Sequence, residues 1–193
     1  AAKWRNAPLI TIAVAPHAPY PCSPETLTAA KTLADKLALP LMIHVAETDK
    51  EIGEVAAKFR VTPFEHLNNL GFFGGTVIVA HAVHPSPSDL NLMASKKLGV
   101  AHNPTSNMKL ASGVAPVPEM LRAGIAVGLG TDGAASNNSL SIFKEMNAAA
   151  LMHKVSRRDP TVFSATEAVT AATIGGARAL GLEQQIGSLV KGK

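Results

Sequence analysis

This 193-residue chain is poor in cysteine, aromatics and charge. Its single cysteine, Cys22, excludes a disulfide within the chain, so a reducing, cytoplasmic setting is expected. One cysteine also excludes a His/Cys/Cys zinc site. Charged residues make up only 17%. The net charge of +4 is scattered, with no basic run that would read as a nucleic-acid or membrane surface. No apolar run is long enough to span a bilayer. A Walker A loop is missing, and so is the Gly-x-Ser-x-Gly elbow of serine hydrolases. The N-terminal Ala1-Ala2-Lys3-Trp4 has no signal-peptide pattern and no initiator Met, which reads as a start lying upstream.

What is abundant is apolar, at 47%. That is enough for one α/β domain with buried parallel strands. Strand and helix signals alternate. Apolar runs at Leu9–Val14, Leu41–Val45, Thr76–Ala80, Val100–Ala101 and Ile125–Leu129 predict five strands. Ser23-Pro24-Glu25 opens the first helix. A second helix is predicted over Asp49–Phe59. Thr62-Pro63-Phe64-Glu65 and Ser164-Ala165-Thr166-Glu167 read as capping boxes, and Ser88 as the cap of the helix that Gly99 ends. A long helix is expected from Leu140 to about Val155, and the tail Ile186–Lys193 reads as the start of a hairpin. Strands alternating with helices predict a parallel sheet with right-handed crossovers.

Four polar side chains end these strands: His44, with Glu47 three residues on, His81 and Asp132. Imidazoles and carboxylates at the C-terminal ends of successive strands are how a (β/α) barrel builds an active site. Two His, one Glu and one Asp also make up the parts of a hydrolytic zinc site, metal ligands plus a proton carrier. Any one of them alone is more commonly a core histidine or a turn aspartate; four such side chains at three strand ends of one chain reverse those odds. His17 follows the first predicted strand in a Pro-rich loop and is evenly balanced between substrate contact and a structural role. His102 is expected to support its loop. His84 forms His-x-x-His with His81, but Pro85 and Pro87 break any helix that would align them. His66 and His153 lie on predicted helices and read as core.

Gly128-Leu129-Gly130-Thr131-Asp132-Gly133 matches G-x-G-x-x-G. A dinucleotide fingerprint also needs an acidic residue ending the next strand, about 20 residues on. Here the following residues read as helix through Val155, so a nucleotide-binding module is rejected.

The segments His44-Val45-Ala46-Glu47-Thr48, Ala80-His81-Ala82-Val83-His84, His102–Gly113 and Gly130–Asn138 resemble the amidohydrolase superfamily, and within it the 5′-methylthioadenosine/S-adenosylhomocysteine deaminases. The resemblance runs through essentially the whole chain. It implies a (β/α)8 barrel of the TIM type with one divalent metal, usually zinc and alternatively Fe2+, of which residues 1–193 would be the C-terminal five (β/α) units, cut at both ends. His44 and Asp132 match metal ligands. Glu47 matches the residue that carries a proton to the purine ring, and His81 the one that orients the attacking hydroxide, with Asp132 taking a proton from the water. His17 and Ser136, with Glu47, match substrate-contacting positions. The implied reaction is hydrolytic deamination of the adenine ring of a small purine nucleoside, and the implied assembly a homo-oligomer.

The family's first strand carries a His-x-His pair that supplies two further ligands, and this sequence has none. A catalytic zinc normally takes three protein ligands, so His44 and Asp132 alone predict weak metal affinity. Two alternatives stay open: another member of the superfamily (a guanine or pterin deaminase, or a triazine hydrolase), and an inactive fragment lacking the His-x-His strand.

Overall fold

The computed structural model describes residues 2–4, 7 and 9–193. Its centre is a four-stranded parallel sheet in the order β1 (Leu41–Val45), β2 (Val77–His81), β3 (Gly99–His102), β4 (Ala126–Leu129). The register pairs Val45 with His81 and His102 with Leu129, so the C-terminal ends of the strands form one continuous edge. Helices cross over between strands: α1 (Pro24–Leu37) before β1, α2 (Asp49–Phe59) and α3 (Pro63–Asn69) before β2, and α4 (Pro87–Ser95) before β3. Two short helices, α5 (Pro104–Lys109) and α6 (Val117–Arg122), lie between β3 and β4. After β4 come α7 (Ala134–Asn137), the long α8 (Ile142–Arg157), α9 (Ala165–Thr170) and α10 (Gly176–Ala179). No helix among the described residues is long and apolar enough to cross a membrane.

The strands are short apolar runs because one buried core lies between the sheet and its helices. Ile43, Val45, Val79, Val100 and Val127 meet Leu27, Phe64, Leu67, Met93 and Met120 there. Helix entry is chemically marked. Ser23, Thr48 and Thr62 each accept a bond from the backbone three residues on, and Ser164 forms a full capping box with Glu167. The cap of α4 is Ser86 and not Ser88: Pro87 fits the first helical position, and Asp89 returns the bond to Ser86 N–H.

The predicted strand at Leu9–Val14 is reduced to a single parallel bridge, Val14 to Leu41. Val14 N–H donates to Pro40 and its carbonyl accepts from Met42, after which His17 O takes over from His44 N–H. The described residues before Val14 make no further ladder bonds, and Leu9 is 94% exposed. The predicted hairpin at Ile186–Lys193 is also absent; these residues form turns and bends, with no strand to pair against. Two short helices, α5 and α7, lie in what the sequence presents as loops, and both fall next to the strand ends.

Two of the three glycines that mimic a nucleotide fingerprint, Gly128 and Gly130, serve close packing. A Cβ on Gly128 would lie 2.6 Å from Gly176 Cα, and one on Gly130 would lie 2.2 Å from Asn103 Oδ1. The Gly128 contact closes the last helical region onto β4, with a single turn of π-helix (Ala171–Gly175) at the contact, and the Gly130 contact seats the end of β4 against Asn103, just after β3.

Candidate metal centre

The strand order places the predicted residues side by side. One ligand atom each from His44, His81 and Asp132 lie within 4.8 Å of one another. The His44 and His81 rings stack, with centroids 5.5 Å apart. Glu47 joins them from the turn after β1, its Oε2 3.8 Å from His81 Nε2. His17 stands beside His44, ring centroids 4.9 Å apart, with Tyr20 edge-on to it at 6.2 Å.

Each candidate is oriented by a second group. His44 Nδ1–H donates to the His17 carbonyl at 2.6 Å, which leaves Nε2 as the free lone pair. His81 Nδ1–H donates to Asn107 Oδ1 at 2.8 Å, so its Nε2 is likewise free. Asp132 Oδ2 accepts from the hydroxyls of Ser106 and Ser136, both at 2.7 Å. Burial opposes ionisation of Asp132, but those two hydroxyls and the Gly133 N–H together outweigh it and hold the carboxyl below its usual range. Two imidazole nitrogens and one carboxylate oxygen, each with a fixed partner behind it, form a donor set that fits a borderline divalent ion such as zinc. His81 Nε2 thus lies within reach of the point on which His44 and Asp132 converge.

The backbone is strained at the same place. Ala46, His81, Ala82 and Asp132 all have positive φ, at 54°, 70°, 46° and 58°. Such a conformation in a non-glycine residue costs about 1–3 kcal/mol and is held only where the surroundings impose it. Here it turns the chain sharply at three strand ends, bringing His44, His81, Asp132 and Glu47 to one point.

Buried Glu51 enforces the first of these turns. Its two carboxylate oxygens accept from Ala46 N–H and Glu47 N–H, both at 2.8 Å. Burial pushes the Glu51 carboxyl up, against the opposing pull of those two donors. Sequence reasoning passed over Glu51, Ser106 and Asn107. Glu51 looks like an ordinary first-turn helix acid, whereas Ser106 and Asn107 are polar residues just past a strand end, a signal that was available.

Of the remaining histidines, His84, His66 and His153 lie as expected, whereas His102, expected to support its loop, packs in the core. His84 Nε2–H donates to the Ser112 carbonyl at 2.7 Å and its Nδ1 lies 3.5 Å from Asp49, so it braces loops outside the ligand group. His66 is buried and stacked on Phe59. His102 turns away to face His153, the two Nε2 atoms 3.2 Å apart in the core. Ser136 touches Asp132 and the Gly133 carbonyl.

The sequence profile of the amidohydrolase family matches residues 1–193. The chain belongs to the amidohydrolase family. It is 46% identical over 191 residues to the 5-methylthioadenosine/S-adenosylhomocysteine deaminase of Syntrophobacter fumaroxidans, covering 99% of this chain and 44% of that protein. It is 47% identical over 174 residues to the 5′-deoxyadenosine deaminase of Methanothermobacter thermautotrophicus, covering 90% of this chain and 41% of the relative. Among solved structures it superposes, with a TM-score of 0.95 and 39% identity, on a zinc-bound adenosine deaminase from Xanthomonas campestris, over 100% of this chain and 44% of that one. The chain therefore spans less than half the length of the relatives it matches. The parallel sheet and its helices form part of an amidohydrolase barrel, with the segment around Val14 bridged to the β1 edge.

Proposed function

We propose that this amidohydrolase chain is part of a divalent-metal-dependent aminohydrolase that deaminates the adenine ring of 5′-methylthioadenosine- and S-adenosylhomocysteine-type nucleosides, giving the inosyl product and ammonia. The observation that carries it is a division of labour between two carboxylates. Asp132 belongs to the ligand group, whereas Glu47 stands outside it, 3.8 Å from His81. Hydrolytic deamination of a purine needs both parts: one group to take a proton from the attacking water, another to give one to the ring nitrogen beside C6. The names of the relatives support the adenine ring as the target.

His44 and Asp132, with His81 in reach of the same point, would hold a divalent ion, and such an ion would supply Lewis-acid activation of water, lowering its pKa towards about 7. Asp132 receives the proton released on attack, through the carboxylate oxygen that Ser106 and Ser136 leave free. His81, fixed by Asn107, presents Nε2 to the attacking oxygen. Glu47 protonates the ring and makes it a better electron sink; the proton held by Asp132 then passes to the amino group, ammonia leaves as the C6 hydroxyl becomes a carbonyl, and the hydroxyl proton restores Glu47. His17 and Tyr20 stand at the exposed side of the group, where the purine would lie.

The test is ammonia release by the full-length, metal-loaded protein from S-adenosylhomocysteine, methylthioadenosine and 5′-deoxyadenosine, with guanine and a chlorotriazine alongside. Turnover of the adenine nucleosides is expected. Turnover confined to guanine or the triazine replaces this reading with another family activity, and release from none of them removes the enzymatic reading.

A further inference from the structure

Glu145, the one acid on α8, faces neither solvent nor the candidate metal group. It lies in the first turn of the helix and is 0% exposed. Its carboxylate receives bonds from two different loops. Thr105 N–H, from the loop after β3, donates to Oε2 at 3.0 Å, and Asn137 Nδ2, from the loop after β4, donates to Oε1 at 2.8 Å. Asn137 Nδ2 also donates to the Thr131 carbonyl at 2.8 Å, at the foot of Asp132.

What these loops carry gives the arrangement its meaning. Thr105 is followed by Ser106, which donates to Asp132, and by Asn107, which accepts from His81 Nδ1. Asn137 is preceded by Ser136, the second donor to Asp132. Every side chain that orients His81 or Asp132 is thus one or two residues from a donor to Glu145. On the solvent side, Lys109 Nζ ties the same loops by donating to the Ala135 carbonyl at 2.7 Å and to Asn138 Oδ1. A buried carboxylate adds little to stability over a well-packed apolar residue. What it adds here is geometry, because two donors on separate loops are held at the spacing of one carboxylate.

We propose that Glu145 is the positioning residue of this site, locking together the two loops that orient His81 and Asp132. The proposal rests on the deaminase reading for its kinetic readout and stands apart from it for its spectroscopic one. With both loops fixed, Asn107 keeps the proton of His81 on Nδ1 and the lone pair on Nε2, and Asp132 keeps one oxygen free. Release of either loop lets the His81 ring or the Asp132 carboxylate turn.

The experiment compares Glu145→Gln and Glu145→Asp with wild type in the full-length protein. Glutamine keeps the shape but sets an NH2 against one of the two donors. Aspartate keeps the charge but is one methylene too short to reach both loops. Both variants are expected to lose about 100-fold in kcat, the cost of a misplacement near 1 Å, with KM within about threefold. In 15N-histidine spectra of the metal-free protein, the protonated-Nδ1 signature of His81 is expected to broaden or shift towards the other tautomer. Unchanged His81 signals overturn the proposal, whether kcat holds or falls together with bound metal, because the role is then only structural. If both variants fail to fold, Asn137→Ala, which cuts the arm to the β4 loop alone, takes their place under the same two readouts. If the wild type deaminates nothing, the function proposed above fails, and the His81 spectrum still decides the role of Glu145.

Discussion

Asn107 Oδ1 lies 2.8 Å from His81 Nδ1, a contact between two side chains that are 26 residues apart and both buried. A carboxamide oxygen can only accept, so the contact assigns the His81 proton to Nδ1 and directs Nε2 at the point where His44 and Asp132 converge. Replacing Asn107 with Leu keeps the bulk and removes the acceptor. The expected result is a kcat lower by about 10- to 100-fold, the cost of removing the partner that orients a site histidine, with bound metal retained. Steady-state kinetics beside metal analysis checks this; a variant that turns over normally would show that His81 does not depend on its tautomer.

Glu47 stands beside the ligand group and outside it. Glu47→Gln is therefore expected to keep the metal and lose turnover by about 100-fold or more, the share of catalysis carried by a positioned acid or base. Metal content and ammonia release measured on one preparation separate the two effects. Loss of metal along with activity would move Glu47 into the ligand set.

The strand-end residues were legible because each follows an apolar run, and parallel strands pairing in one register must bring such residues to one edge. His44, His81 and Asp132 needed nothing more than that. The positive φ at Ala46, His81 and Asp132 was not legible, since none of the three is a glycine and the strain is imposed by contacts distant in sequence. Glu51 shows why: it reads as one more acid in a helix first turn, and only the fold reveals that both of its oxygens bind the backbone of the preceding turn. The strand expected at Leu9–Val14 failed for the opposite reason. Apolar composition marks what can pair, but a strand also needs a partner along its length, and among the described residues before Val14 the ladder has no bonds.

Gly128 tests whether the glycine pattern in β4 is about packing. Its missing Cβ is replaced by the backbone of Gly176, 2.6 Å from where that atom would sit, and backbone cannot swing aside as a side-chain end can. Gly128→Ala is expected to destabilise the protein by about 1–3 kcal/mol or more, the cost of overpacking a close contact. Gly133→Ala, which meets nothing within 4 Å, should change stability by less than about 0.5 kcal/mol. Urea unfolding of the two variants reads the difference, and equal stabilities would leave the close approach without energetic weight.

The His102–His153 pair predicts acid sensitivity. Burial, then the charge of the neighbouring His153 and His81, lowers His102 to about 3; burial, then Arg157, lowers His153 to about 4, with Glu119 opposing. Both folded values lie below the 6.5 of a free imidazole, so below that pH the unfolded chain binds protons that the folded one refuses. The stability these rings contribute is fully present above about pH 6.5 and is lost as pH falls through the folded values. At pH 5 each ring should already cost roughly 2 kcal/mol, from about 1.5 pH units at 1.36 kcal/mol each. Urea unfolding at pH 7.5 and pH 5 measures that loss. His153→Phe removes one titrating ring beside Phe163 and leaves His102 Nε2 without its partner. The variant should therefore start about 1–3 kcal/mol less stable at pH 7.5. Between the two pH values it should then lose only about half as much as wild type. If the variant and wild type fall in parallel, the acid sensitivity arises elsewhere, and the buried pair is held neutral without cost to the fold.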